Sequence, residues 1–367
     1  MRENVKYYQE DNYAQLVRTV DLKKDFTNND FVYVDELAYD FLWRVQLKEP
    51  NIVLPNIGAN IGEKYYVSPE DLPKEKNVLG PNAILLRSKC NDTHFVYFRL
   101  STSSYDNEMK KLVGASGQPK FNKTDLKKVR LLIPSLKEQK KISYFLGLLE
   151  ERIATQNKII DKLQSLIKGI NQRVFMNNGI NYKLGEISEI RSGYSGNQLL
   201  SKKGLKVSRI ETISGHKVNL ERVGYVAPFE SSENYKLQVG DILFSNINSV
   251  EYIGNTAFID KDYDLYHGMN LLRLTPNNMV VIPFYLYLLL NTNRMLNRFK
   301  TVCNKAVSQA SINQTELGKT VVQIPDINAQ KQICELYQAL YDKLESEKYA
   351  NSLFQKQKQY LLRQMFI

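Results

Sequence analysis

The sequence predicts a two-domain protein with an internal pseudo-twofold repeat. Each domain is closed by a long helix, and the two helices pair as an antiparallel two-helix coiled coil. Three observations carry this expectation: a strict internal repeat, a heptad seam in each copy of it, and a length of 367 residues that accommodates more than one core.

The repeat comes first because it orders everything else. Sliding Ala115-Ser-Gly-Gln-Pro-Lys-Phe-Asn-Lys-Thr-Asp-Leu-Lys-Lys forward by 191 residues places it on Ala306-Val-Ser-Gln-Ala-Ser-Ile-Asn-Gln-Thr-Glu-Leu-Gly-Lys. The match continues without a gap, Ile133-Pro134 onto Ile324-Pro325, Gln139-Lys140 onto Gln330-Lys331, Ile142 onto Ile333 and Phe175 onto Phe366. Upstream it loosens. Arg18 still falls on Arg209, the stretch from Leu47 resembles that from Leu237 one residue out of phase, and Ile61-Gly62 matches Ile253-Gly254. Each half therefore reads as a variable domain followed by a better-kept helical segment.

In the first helical segment the seam runs Ile142, Leu146, Leu149, Ile153, Gln156, Ile160, Leu163, Ile167, Ile170, Val174, alternating steps of four and three. Ser135 and Glu138, just after Pro134, form a capping box at its start. The second segment begins after Pro325 with Asp326 as N-cap. Its seam is more polar: Ile333, Tyr337, Leu340, Leu344, Glu347, Asn351, Phe354, Lys358, Leu361, Met365. Two such helices in one chain suit an intramolecular antiparallel pair; a parallel homodimeric coil is the alternative. Gln156 and its repeat mate Glu347 sit at the middle of their helices, where an antiparallel pair brings them face to face as a polar layer that fixes register.

Lysine and arginine number 50 against 39 acidic residues, a net charge of +11, which points to a polyanionic partner, nucleic acid before a membrane surface. No stretch reaches the ~18 apolar residues of a membrane span, and the start does not resemble a signal peptide. Cys90, Cys303 and Cys334 are odd in number and far apart, which excludes a disulfide framework and a paired-cysteine zinc site and fits a reducing cytoplasm. Catalytic and metal-ligating patterns are absent. Gly318-Lys319-Thr320 ends like a phosphate-binding loop, but Asn313 stands where the leading glycine belongs. Asp260-Lys-Asp-Tyr-Asp264 opens like a calcium loop but has Leu265 and Leu271 in place of glycine and glutamate. His94, His216 and His267 are isolated.

Pro134-Ser-Leu-Lys-Glu-Gln-Lys-Lys-Ile with the helix that follows it resembles the region closing each recognition domain in the specificity subunits of type I restriction–modification systems. Pro325-Asp-Ile-Asn-Ala-Gln-Lys-Gln-Ile is its second copy, with Ala329 in place of Glu138. Lys183-Leu-Gly-Glu-Ile and Gly240-Asp-Ile-Leu resemble further recurring points of the recognition domain. The resemblance implies mixed α/β recognition domains and no catalytic apparatus. It also implies two methyltransferase subunits that dock on the chain and restriction–motor subunits added for cleavage. S-adenosylmethionine, ATP and magnesium would then be bound by those partners. The expected divisions are a first target-recognition domain (1–134), a first long helix (135–178), a second recognition domain (179–325) and a second long helix (326–367). Half one departs at its start: Met1 falls opposite Ser192, so the counterpart of Lys183-Leu-Gly-Glu-Ile is missing, and either the first domain is shortened at its edge or the chain starts late.

On this reading the chain contacts double-stranded DNA, with basic residues on phosphates and amides on base edges. The repeat mates Arg18 and Arg209 lead the candidates. Lys120 and Lys123 follow in half one, with Arg191, Lys202, Lys203 and Lys206 in half two; Asn246, Asn248 and Gln309 are the amides suited to adenine. A helix of 38 residues (138–175) is roughly 57 Å long at ~1.5 Å per residue, longer than one ~34 Å turn of DNA, so two readers on one ruler imply a bipartite target. Two rivals stay open. A stand-alone DNA-modifying enzyme would cut or methylate DNA unaided, and a coiled-coil scaffold would bind no duplex at any salt concentration.

Overall fold

The computed structural model describes residues 5–57, 61–113, 120–175, 179–305 and 310–366. The chain divides into two compact units, 1–158 with 348–367 and 159–347. Among the described residues, no helix is long and apolar enough to cross a membrane.

Unit 1 runs β1 (Ala14–Val17), α1 (Thr19–Lys23), β2 (Tyr33–Val34), α2 (Glu36–Phe41), β3 (Asn51–Pro55), β4 (Tyr65–Val67), β5 (Asn77–Leu79), β6 (Ala83–Leu86), α3 (Thr93–Leu100), α4 (Ser103–Val113), α5 (Lys123–Leu126) and the first part of α6 (Leu136–Val174). Two sheets result, ordered β2-β1-β5 and β4-β3-β6. Successive side chains of a strand face opposite ways, so β3, apolar in consecutive positions, serves two cores at once. Ile52 and Leu54 pack with Phe95, Leu100 and Met109 of the helices, while Val53 packs with Val17, Leu47 and Val67. The side chain of Asp92 caps α3 by accepting from the Phe95 N–H at 2.8 Å.

Unit 2 continues from α6 through β7 (Ile180–Lys183), α7 (Leu184–Ile187), β8 (Ser188–Ser192), β9 (Leu205–Val207), β10 (Gly224–Val226), β11 (Ile242–Ser245), β12 (Ile247–Asn248), β13 (Thr256–Phe258), β14 (Leu271–Pro276), α8 (Pro283–Leu290), α9 (Asn293–Val302), β15 (Asn304–Lys305), β16 (Ala310–Ser311), α10 (Gln314–Gly318), β17 (Val321–Ile324) and the first part of α11 (Ile327–Met365). Its main sheet is ordered β13-β11-β14-β8, and β17 pairs with β7. The alternation of β3 recurs in β11, where Ile242 and Phe244 join the core under α8 and α9 and Leu243 joins the opposite one. The most apolar stretch of the chain, 284–290, is the buried helix α8.

Both long helices have 39 residues and begin at the anticipated caps. The Ser135 N–H donates to Glu138 at 3.2 Å, and the Asn328 and Ala329 N–H groups donate to the Asp326 carboxylate at 2.9 and 3.0 Å. Within each unit they pair antiparallel. In unit 1, Glu150 bonds Lys358, Arg152 lies over the Phe354 ring at 4.7 Å, and Asn157 accepts from Asn351 at 2.8 Å. In unit 2, Tyr337 donates to Asn171 at 3.1 Å, and Ile160, Ile167, Tyr337 and Leu344 form the buried seam. Gln156 is buried in unit 1; Glu347, in unit 2, pairs with Lys343 one turn away at 2.5 Å.

The repeat extends to nearly every element. The order α3-α4-α5-α6 corresponds to α8-α9-α10-α11, and β1, β2, β3, β4 and β6 to β9, β10, β11, β13 and β14. Gly62 and Gly254, matched in sequence, both take a left-handed backbone (φ 92° and 85°) that a side chain would strain. The same glutamine device closes each half. Gln330 donates to the carbonyls of Pro325 (2.9 Å) and Val280 (3.1 Å) and accepts from the Ile282 N–H (2.8 Å). Gln139 donates to Pro134 O (2.9 Å) and Asn91 Oδ1 (3.1 Å) and accepts from the Asp92 N–H (2.9 Å). In both, a buried amide ties the start of a long helix to the start of the domain helix α3 or α8.

Candidate nucleic-acid interface

In unit 2 the chain assembles a basic ribbon. β9 and β10 pair antiparallel with Lys206 opposite Tyr225, and Gln198 bridges to Val226 while the Leu199 N–H donates to Tyr225 O at 2.7 Å. The chain thus runs antiparallel along one side of β10 at 198–199, loops across and runs antiparallel along its other side as β9. The turn, Leu200-Ser-Lys-Lys-Gly204, is exposed throughout, carrying Lys202 and Lys203 on its tip. Arg209, just past β9, lies on the same ribbon: a β-carbon on Gly224 of β10 would come within 3.0 Å of the Arg209 Cδ. Lys202, Lys203, Lys206 and Arg209 are therefore brought together, with cationic groups that can each meet a phosphate.

The repeat mates Arg18 and Arg209 share a backbone and differ in what their guanidinium groups do. Each sits at the N-cap of a short helical turn, its N–H donating to the side chain three residues on, Asp21 at 2.8 Å and Thr212 at 2.9 Å. Because that residue is an aspartate in half one, the Arg18 guanidinium closes on it with two bonds, 3.0 and 2.7 Å, and adds the Asp30 carbonyl at 2.6 Å. Asp21 is fully buried, so Arg18 is spent on neutralising it. A threonine makes no such demand. Arg209 makes a 3.5 Å contact with exposed Glu211 and is itself exposed.

The other candidates scatter. Arg191 lies on β8 in a different sheet, paired with Glu189 at 2.6 Å, and lines a cleft of about 350 Å³ with Ser192, Ser231, Asn234, Tyr235 and Gln314. Asn248 uses its amide internally, accepting from the Ser249 N–H at 2.8 Å and donating to Ser245 at 3.1 Å. Asn246 holds Ile312 through its backbone carbonyl, and its side-chain oxygen is buried with no hydrogen-bond partner among the described residues. In half one Lys120 and Lys123 are exposed beside α5. Gln309 lies outside the described residues.

Two features were missed in the sequence. Arg87 in unit 1 and Arg273 in unit 2 are equivalent clamps. Arg273 pairs with buried Asp241 at 3.0 Å and donates to Asn234 O and Lys236 O; Arg87 donates to Asn51 and to the carbonyls of Arg44 and Gln46. Both hold the turn before the central strand, and their spacing departs from 191, which hid them. The second is an exposed apolar face on α2 and the turn after it, Leu37, Phe41 and Trp43, with Arg44 stacked on Trp43 at 4.9 Å; no periodicity marks so short a stretch.

The histidines take structural places. Burial pulls the His267 ring down to about 4, and its Nε2 lies 3.0 Å from Leu271 O. His94 stacks between Tyr66 and Phe98 and faces Glu150 at 3.6 Å. Burial raises the Glu150 carboxyl, but His94 and Lys358 outweigh it and hold it below the usual carboxylate range. Among the described residues no cluster of histidine, cysteine or acidic groups could hold a metal ion.

Residues 8–165 and 179–352 match the family described as Type I restriction modification DNA specificity domain. The chain is 24% identical over 371 positions to the type I restriction enzyme EcoKI specificity subunit of Escherichia coli K12, covering 91% of this chain and 76% of that protein. It is 43% identical over 150 positions to the putative MjaX specificity subunit of Methanocaldococcus jannaschii, a match spanning 40% of this chain and about a third (35%) of that relative's length. Among solved structures, the type I restriction–modification S subunit from M. genitalium shares the fold, with a TM-score of 0.56 at 18% identity over 87% of this chain and 83% of that one. A chain from a study of type I restriction–modification assembly and conformational transition does so equally, TM-score 0.56 at 16% identity over 86% and 81%.

Proposed function

Because the chain belongs to the type I restriction–modification DNA specificity family in both of its halves, we propose that it is the non-catalytic subunit that reads a bipartite DNA target and positions methyltransferase and restriction subunits on it. The observation that carries this reading is the duplication itself: two domains with the same element order, each opening onto a long helix through the same buried glutamine. A protein that reads one undivided sequence has no use for two such copies.

In half two the β9–β10 ribbon approaches DNA with Lys202, Lys203, Lys206 and Arg209, the lysines on phosphates and Arg209 toward a groove. Asn246, whose side-chain oxygen is buried, would have to turn its amide outward to reach a base edge. Half one reads with Lys120 and Lys123 and without Arg18, whose charge is committed to Asp21. The target adenine is flipped into the methyltransferase rather than into this chain. S-adenosylmethionine, ATP and magnesium belong to the partner subunits, and the assembly works in the cytoplasm.

The two methyltransferase subunits have a matching pair of surfaces to use. Leu136 and Phe145 on α6 are exposed, and so are their repeat mates Ile327 and Leu336 on α11. The same apolar positions, uncovered twice, suit two copies of one partner. Footprinting of the chain with its methyltransferase on a target duplex tests the reading. Two protected blocks flanking an unprotected spacer are expected, and one continuous block would overturn it.

A further inference from the structure

Arg191 and Arg273 stand directly opposite each other on β8 and β14, so their side chains leave the same face of the main sheet of unit 2. Like charges facing each other across a strand pair repel, and each arginine has its own carboxylate. Arg273 is nearly buried and held by buried Asp241 at 3.0 Å. Arg191 meets Glu189 at 2.6 Å, with both side chains exposed. An exposed pair of that kind contributes little and gives way readily to a better-placed anion.

Both arginines line the cleft of about 350 Å³ beside β8, and no acidic side chain joins them there. The facing wall is the turn 231–235. Among the described residues, the Ser192, Ser231 and Tyr235 hydroxyls and the Asn234 side chain, all in the cleft, make no hydrogen bond. Guanidinium groups on one wall with hydroxyls and an amide across from them suit an oxyanion, which accepts from all of them.

The cleft adjoins the basic ribbon. A β-carbon on Gly193 would collide with Gly268 O, and one on Gly268 with Ser208 O, so three chain segments converge there. The first leads out of the cleft from Ser192, the second follows His267 in its lining, and the third leads to Arg209. Tyr194 and Phe229 stack at 3.9 Å, with Tyr235 of the cleft edge-on to both. The five steps from Val226 of β10 to Ser231 span at most about 17 Å at ~3.4 Å each. That reach is comparable with the ~12 Å width of a major groove. A duplex whose groove receives the ribbon therefore brings the strand bordering that groove to the cleft.

We propose that this cleft is a clamp for one backbone phosphate of the DNA, held between the Arg191 guanidinium and the Ser231 and Asn234 side chains. The proposal rests on the DNA reading above and adds a fixed point to it. Glu189 yields Arg191 to the phosphate, and Arg273, kept in place by Asp241, supplies positive potential behind it. The ribbon chooses bases, and the clamp sets the register of unit 2 along the strand.

Ethylation interference tests it, with the chain and its methyltransferase bound to a duplex carrying the motif that the complex methylates. In the unaltered complex a set of phosphates should block binding when ethylated. Arg191→Ala should make one of them, bordering one half-site, indifferent to ethylation. The same change should weaken binding about tenfold and make the log–log salt dependence shallower by about 1, while the methylated motif stays the same. Glu189→Gln, which releases Arg191, should tighten binding about twofold, an effect of opposite sign that misfolding cannot produce. An interference pattern and salt slope unchanged by Arg191→Ala would overturn the proposal. So would a cleft that takes inorganic phosphate instead, seen as an Arg191-dependent rise in melting temperature with unaltered DNA contacts. If the unaltered complex shows no interference at any phosphate, the DNA reading itself fails, and the clamp with it.

Discussion

Replacing Gln330 by leucine isolates what the shared glutamine contributes. The side chain is fully buried and makes three hydrogen bonds, all to backbone groups: the carbonyls of Val280 and Pro325 and the N–H of Ile282. Leucine has a similar volume and can fill the space, so the loss is electrostatic. Three partly buried backbone groups lose a partner that is itself fully buried, at about 1–3 kcal/mol each, and relaxation recovers part of that, leaving a net loss of about 3 kcal/mol. For a unit the size of 159–347, at about 2–4 °C per kcal/mol, the melting temperature should fall by roughly 6–12 °C. Calorimetry measures the shift, and hydrogen exchange assigns it to unit 2. Gln139→Leu should cost less, because one of its three partners is the side chain of exposed Asn91, which can turn to water. A shift below about 2 °C for Gln330→Leu, or equal shifts for the two variants, would refute the reasoning.

Other predictions follow from the same structure. Arg18→Ala strands the buried carboxylate of Asp21 and should destabilise unit 1 by about 3 kcal/mol, whereas Arg209→Ala should leave stability within about 0.5 kcal/mol yet weaken specific DNA binding roughly tenfold, as paired melting and binding titrations would show. Lys202→Ala with Lys203→Ala should make the log–log salt dependence of DNA affinity shallower by about 2; an unchanged slope would remove the ribbon tip from the interface. The unfolded chain takes up a proton at His267 below pH ~6.5, but the buried ring resists until about 4. Unit 2 should therefore keep its full stability above pH ~6.5 and lose about 3 kcal/mol as pH falls toward 4, a loss that His267→Gln should blunt in melts across that range. Phe145→Glu and Leu336→Glu should each reduce the number of bound methyltransferase subunits from two to one in native mass spectrometry, and an unchanged stoichiometry would place docking elsewhere.

What was legible in the sequence is what depends on local chemistry. The heptad seam and the caps at Ser135 and Asp326 place both long helices, because spacing and capping are decided within a few residues. The repeat carried over the domain helices, since Asn122 and Asn313 cap α5 and α10 in the same way. Illegible were features set by which neighbour a side chain actually engages. Arg18 and Arg209 look alike until Asp21 and Thr212 are seen opposite them, and Asn248 looks like a free amide until its turn with Ser249 closes. The Arg87 and Arg273 clamps were hidden by insertions that shift their spacing. The pairing of β7 with β17 and of β8 with β14 likewise joins strands far apart in sequence, and no local signal marked it.

The central claim is that one chain carries two readers. Mapping every methylated adenine in cells that express the chain with its methyltransferase tests it most directly. A motif of two short specified blocks separated by a fixed run of unspecified bases is the predicted result, and a single undivided motif would contradict it.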